Sequence, residues 1–209
     1  MNDKDHFRFV HDLFELNNQE TVSNISFRFN QDPQFQKLND KDGSREPRKL
    51  LVNIICWCLM PNHFHLVLEQ LVDGGISLFM QKIGAGYTKY FNLKYERVGS
   101  LFQGTFKAIR IEEENYLLQL IRYFHLNPVS LIEPNWKESG IKDKKKVNQF
   151  LETYRWSSYM DYLGKKNFPS LINRQLVNSL FDSPADHREF VNSWLSEDLE
   201  LIDDLVLEN

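Results

Sequence analysis

Cys58-Leu-Met-Pro-Asn-His63-Phe-His65-Leu-Val-Leu68 decides the reading of this chain. It sets two histidines two apart inside an apolar run. Successive side chains of a β-strand alternate faces, so His63 and His65 share one face while Phe64, Leu66 and Leu68 share the other. The apolar face can be buried on one side of a sheet. The opposite face then carries two neighbouring imidazoles, which is a metal-ligand arrangement. Met60-Pro61-Asn62 reads as a turn, because Pro and Asn suit tight turns and Pro cannot serve a central ladder. Ahead of it, the dense apolar run from Lys49 to Leu59 reads as a buried strand. Turn and histidine strand (63–70) complete a hairpin.

Upstream, residues 5–17 carry Phe7, Val10, Leu13 and Phe14 in helical spacing, with Phe9 and Leu16 shifted by one. This is an amphipathic helix, ended by Asn17-Asn18. Residues 18–49 are polar and read as a long connection. Downstream, Asp73-Gly74-Gly75 breaks the histidine strand, and a helix is expected over 77–95, weakened at Gly84 and Gly86, which can mark a close approach of another backbone. Leu101 to Ile111 alternates and predicts a strand, with Gly99 and Gly104 allowing a bend or bulge. Glu112-Glu-Glu-Asn115 opens the next helix, with Asn115 as its cap. That helix runs from Tyr116 to about Leu126 and is stopped by Pro128. Irregular chain follows. A short helix is expected to reach Leu163 from Arg155-Trp-Ser-Ser-Tyr159, then helices over 173–181 and 184–195, and a last one in the acidic end.

A chain of 209 residues holds one domain with a real core, or one domain plus an appendage. No stretch approaches the roughly 18 apolar residues a membrane span needs. The first residues lack a basic-then-apolar leader. Cys56 and Cys58 flank one residue, where a disulfide would be strained. A cytoplasmic protein without a membrane partner is the expectation. The net charge of −4 argues against a generic nucleic-acid coat. The charge is uneven, however: Lys82, Lys89, Lys94, Arg97, Lys107 and Arg110 face a single acid, Glu96, between positions 82 and 110. Such a local stripe can bind phosphates. The acidic run 197–208 reads as a solvated surface.

In the 116–127 helix, Tyr123 and Asn127 are four apart and share a face, whereas His125 points elsewhere. A tyrosine hydroxyl, with its ordinary pKa of about 10, attacks phosphorus only if the phosphate is polarised. A divalent cation does that and orients the group for in-line attack. His63, His65 and Asn127 can be its ligands and Tyr123 the attacker, provided this helix packs on the histidine face. Other readings stay open. A His-x-His pair also suits hydrogen-bonded surface imidazoles. Cys56, Cys58, His63 and His65 offer a Cys₂His₂ zinc site, although zinc pairs are usually two to four residues apart.

Five blocks occur in one order: Leu59-Met-Pro-Asn-His-Phe-His65, Tyr87-Thr-Lys-Tyr-Phe-Asn92, Gly99-Ser-Leu-Phe-Gln-Gly-Thr-Phe-Lys107, Ile121-Arg-Tyr-Phe-His-Leu-Asn-Pro-Val129 and Trp156-Ser-Ser-Tyr159. Together they resemble the HUH-type single-tyrosine transposases, most of all the REP-associated branch, over roughly residues 5–163. The resemblance implies an α+β fold, a ferredoxin-like antiparallel sheet with helices on one face, over residues 1–165. A helical, acidic C-terminal extension, 166–209, would follow. It implies Mg²⁺ or Mn²⁺ on His63, His65 and Asn127, and Tyr123 as nucleophile. It implies single-stranded DNA with hairpins as partner, cleaved and rejoined through a 5′-phosphotyrosine link by a monomer or homodimer. Lys89, Arg97, Lys107 and Arg110, in or beside the blocks, are the expected DNA contacts. There are departures. Relatives begin with a Tyr-His-Val strand and an Asn-Arg-Gly loop, whereas this chain starts at the following helix, so the first strand is expected to be missing. Thr105 stands where many relatives carry Arg. The alternative is a truncated, inactive DNA-hairpin-binding remnant.

Overall fold

The computed structural model describes residues 2–23 and 47–195. The chain divides into two compact units, Met1–Asn53 with Leu68–Phe106, and Ile54–Val67 with Lys107–Asn209. The class is α+β, with a two-stranded antiparallel sheet and several helices. Among the described residues no helix is long and apolar enough to cross a membrane. Most of the polar connection expected over 18–49, and the acidic helix expected at the C-terminus, lie outside the described residues.

In the first unit, α1 (Asp3–Glu15) starts at a reciprocal cap. Asn2 Oδ1 accepts from the Asp5 N–H and the Asp5 carboxylate accepts from the Asn2 N–H. Its apolar stripe of Phe9, Val10, Leu13 and Phe14 is buried, and it packs on α2 (Gly75–Tyr95). Phe9 meets Tyr87 edge to face at 5.0 Å. Gly86 is where the two helices come close: a Cβ there would lie 2.9 Å from Leu16 Cδ1, whereas Gly84 faces open space. The polar side of α1 is also buried. Arg8 and Asp12 pair at 2.8 Å with almost no exposure. Beyond the helix end, Asn17 accepts from the Leu51 and Val52 N–H groups and donates to the Val52 carbonyl at 2.8 Å.

β1 (Val52–Leu59) is buried at every position except Asn53, as an apolar run covered on both faces must be. β2 (Phe64–Gln70) pairs with it after a turn closed by Met60 N–H to His63 O. His63 therefore lies one residue ahead of the strand predicted to hold it. The face of Phe64, Leu66 and Leu68 is only half-buried, and Val67, on the histidine side, is the buried residue of β2. At its other edge β1 meets Ser157 in an antiparallel bridge at Cys58.

The strand expected over 101–111 does not form. Gly99 and Gly104 adopt positive φ (92° and 78°), which interrupts an extended run. Residues 103–110 are exposed, with Phe106 and Ile109 43% and 46% accessible. An alternating pattern makes a strand only where a partner edge is available to it.

In the second unit, α3 (Glu114–Leu126) starts two residues before the predicted position. Asn115 lies inside it, and Glu113 holds the cap position without a side-chain bond. Pro128 does not release the chain into irregular structure. Its missing N–H is not needed in a first turn, and the backbone tightens into a 3₁₀ turn, Asn127–Leu131. Three short helices follow: α4 (Trp136–Ser139), α5 (Lys144–Leu151) and α6 (Tyr159–Tyr162). Then come α7 (Gln175–Asn178) and α8 (Pro184–Ser193), the latter with Ser183 as cap and Pro184 at its start. α8 packs on α3.

Candidate active site

α3 brings Tyr123 and Asn127 to the histidine pair, all within the second unit. The helix is clamped from its other side. The Arg122 guanidinium lies 3.7 Å from the Phe190 ring centroid and 4.8 Å from that of Trp194. His125, pointing away from the site as its spacing predicts, is buried against Cys56 Sγ at 3.3 Å, Ser158 Oγ at 2.9 Å and His187 Nε2 at 3.2 Å. With those two residues fixed, the next face of the helix presents Tyr123 and Asn127 to β2.

His63 and His65 meet edge to face with ring centroids 4.9 Å apart. The Asn62 side-chain oxygen accepts from His63 Nδ1 at 2.8 Å. With Nδ1 donating, His63 is the Nδ1–H tautomer and Nε2 is its potential ligating nitrogen. Asn127 Nδ2 donates to His65 Nε2 at 2.6 Å, so the His65 lone pair is on Nε2 and is held by that amide. The His65 ring stacks on Phe124 at 4.7 Å and 24°, and the Tyr123 ring lies 6.0 Å away. Tyr123 is fully buried, and Lys137 Nζ donates to its hydroxyl at 2.7 Å. Ser130 Oγ bonds the Asn127 carbonyl at 2.9 Å and holds the 3₁₀ turn below it.

Among the described residues no three His, Cys, Asp or Glu side chains form a metal-holding group, so a cation would depend on Asn127 as third ligand. Half a turn of its amide replaces Nδ2 by Oδ1 at the point His65 Nε2 faces. Two imidazoles and one amide oxygen suit Mn²⁺ better than the oxygen-seeking Mg²⁺. The residues fit a cation on these terms. Cys56 contacts His125 and Ser158. Burial drives its thiol up to about 12 and raises Cys58 as well. Both are buried strand residues.

The expected DNA contacts divide between the units. Lys89 and Arg97, in the first, are exposed, with the Arg97 guanidinium 5.7 Å from the Phe91 ring centroid. Lys107 and Arg110, in the second, are also exposed, and Arg110 pairs with Glu112 at 3.3 Å. Two other cations of the basic stretch serve the fold. Lys82 donates to the backbone carbonyls of Asn18 and Glu20. Lys94 pairs with the buried Asp5. Phe79 and Tyr87 are core residues. Lys137 had no sequence signal, since it stands in a stretch read as irregular and outside every quoted block. No family model matches this chain, and no curated protein and no solved structure is significantly similar to it.

Proposed function

We propose that this protein is a metal-dependent transesterase of the HUH single-tyrosine transposase type. It cleaves and rejoins single-stranded DNA beside hairpins. The observation that supports this most is the meeting of Tyr123 and Asn127 with His63 and His65, from elements some sixty residues apart in sequence. Packing alone needs no such combination of a nucleophile, an amide and two imidazoles whose lone pairs sit on Nε2.

His63, His65 and Asn127 would hold the cation, Mn²⁺ or Mg²⁺. When bound, it supplies Lewis-acid polarisation of a phosphate oxygen. Tyr123 Oη forms a bond to phosphorus as the bond to the 3′-oxygen breaks. The fragment on the 3′ side of the cut is held through its 5′-phosphate as a phosphotyrosine, and attack by a 3′-hydroxyl reverses the step. Lys89, Arg97, Lys107 and Arg110 contribute backbone contacts, which position rather than specify. The fold under this reading is ferredoxin-like, in a cytoplasmic protein acting as monomer or homodimer.

One observation favours a second reading, a hairpin-binding remnant without turnover: Tyr123 is fully buried, and attack requires its hydroxyl to reach DNA. Incubation with single-stranded hairpin DNA and Mn²⁺ or Mg²⁺ separates the two. The enzyme gives a denaturant-resistant protein–DNA adduct that Tyr123→Phe abolishes. Hairpin binding without an adduct supports the remnant. Equal products from wild type and Tyr123→Phe refute the proposed mechanism.

A further inference from the structure

Lys137 is held on the Tyr123 hydroxyl by its neighbours. α4 is a single turn, closed by Trp136 N–H to Glu133 O and Ser139 N–H to Asn135 O. It is anchored by Trp136, which is 1% exposed. The turn leads out of the 3₁₀ segment that carries Asn127, where the Ile132 and Glu133 N–H groups both bond Val129 O. Lys137 thus follows a buried anchor with little freedom. Its Nζ sits 2.7 Å from Tyr123 Oη and 4.8 Å from the ring centroid, so the ammonium lies beyond the oxygen, on the lone-pair side of the hydroxyl and not over the ring. A flexible, strongly hydrated ammonium gives up water and rotamer freedom to sit there. A tyrosine hydroxyl needs only one neutral partner to be satisfied.

We propose that Lys137 is a catalytic residue of this site, donating to Tyr123 Oη and balancing the negative charge that passes through that atom. This rests on the reading of Tyr123 as nucleophile. In cleavage, an Oη lone pair forms the Oη–P bond while the P–O3′ bond breaks with its electron pair on O3′. The phenolic proton passes to solvent, O3′ takes a proton from solvent, and Lys137 stays an ammonium throughout. In rejoining, a lone pair of the 3′-hydroxyl oxygen forms the O3′–P bond and its proton passes to solvent, while the P–Oη bond breaks and Oη leaves with its electron pair, stabilised by the Lys137 donor, and then takes a proton from solvent. Preorganised donors act most strongly where charge develops in the transition state. Both directions therefore depend on Lys137, and rejoining has phenolate as its leaving group.

The test measures adduct formation and resealing with single-stranded hairpin DNA and Mn²⁺, together with DNA affinity and melting temperature. Lys137→Met is expected to slow both steps by roughly 100-fold, the usual loss for one such donor, with DNA affinity unchanged. Lys137→Arg keeps a donor and is expected to retain most of the rate. Added methylammonium is expected to restore part of the rate to Lys137→Ala, which a purely structural role would not allow. If Lys137→Met lowers the melting temperature, Lys137→Gln, which keeps a neutral donor, takes its place. A wild-type rate in the Met or Gln variant overturns the inference, and so does Arg failing together with no methylammonium rescue. If Tyr123→Phe loses the adduct while Lys137→Met does not, only this inference falls. If wild type forms no adduct, or Tyr123→Phe forms as much, the reading of Tyr123 falls and the inference with it.

Discussion

Replacing His187 by Gln should change how stability depends on pH more than it changes stability at neutral pH. His187 is 2% exposed, and burial drives its imidazole down from 6.5 to about 4. Its Nε2 lies 3.2 Å from His125 Nδ1, and its ring stacks on Tyr162 and meets Phe181 edge-on. The network closes if His125 Nε2–H donates to Ser158 and His187 Nε2–H donates to His125 Nδ1. His187 Nδ1 is then a buried acceptor without a partner among the described residues. A lowered folded-state pKa on a base costs nothing above pH 6.5. Below that, the unfolded chain takes up the proton first, and stability falls until the folded state protonates near pH 4. The full shift of about 2.5 units corresponds to about 3.4 kcal/mol. At pH 4.5 the linkage integral gives about 2.5 kcal/mol. The glutamine amide can keep the bond to His125 Nδ1 and does not titrate. Urea unfolding of both proteins at pH 7.5 and pH 4.5 should show the wild type losing about 2.5 kcal/mol more than the variant between the two conditions. Equal losses would refute the argument that this imidazole is held neutral by burial.

Asp5 tests the opposite sign. Burial pushes its carboxyl up, but hydrogen bonds from Lys94, Tyr95, Tyr90 and the Asn2 N–H outweigh this and hold it at about 2. Its stabilisation is present above pH 4 and lost as pH falls toward 2. Asp5→Asn should therefore cost about 2 kcal/mol at pH 7 and flatten that acid limb in denaturant titrations. Cys56 and Cys58, buried with raised thiols, should be inert to a thiol-specific disulfide reagent in the native protein at pH 8. Both should react at once in denaturant, and rapid native labelling would contradict their burial. Gly84→Ala enters open space on a helix and should stabilise by about 0.5–1 kcal/mol. Gly75→Ala would place a Cβ 2.5 Å from the Leu51 carbonyl oxygen and should destabilise by about 1–3 kcal/mol. Thermal melts of the two variants should move in opposite directions.

The hairpin around Pro61 and the long helices were legible because their signals are local. Alternation, helical spacing and turn residues specify β1, β2, α1, α2 and α3 without help from distant chain. The same reasoning misplaced 101–111, where an alternating pattern was present but no strand pairs with it among the described residues. The burial of the polar side of α1 has no local signal for a similar reason. Arg8, Asp12 and Asp5 look solvated in sequence, and only their partners explain why they are buried. At the candidate site, spacing placed Tyr123 and Asn127 on one face and His125 off it. Their meeting with His63 and His65 is tertiary and could only be stated as a condition. Lys137 was invisible because its role comes from one turn anchored by Trp136, and a single-turn helix has no periodicity to read.

The second edge of β1 is closed in an unusual manner. The Ile54 carbonyl takes the Asn173 N–H, and the Ile55 and Leu59 carbonyls take the hydroxyls of Tyr162 and Tyr154. Ser158 Oγ receives the Trp57 N–H, and the Trp156 carbonyl receives that of Leu59. Apart from the single antiparallel bridge at Cys58–Ser157, amides, phenols and a serine alternate there without a strand's repeat. A foreign strand offers its groups at a fixed period, so it cannot displace these partners one by one without leaving others unsatisfied. A segment as apolar and β-prone as Val52–Leu59 would otherwise be an aggregation seed. Here it is shielded by chemical irregularity, and the chain can carry a sticky strand through its core without offering it as a template.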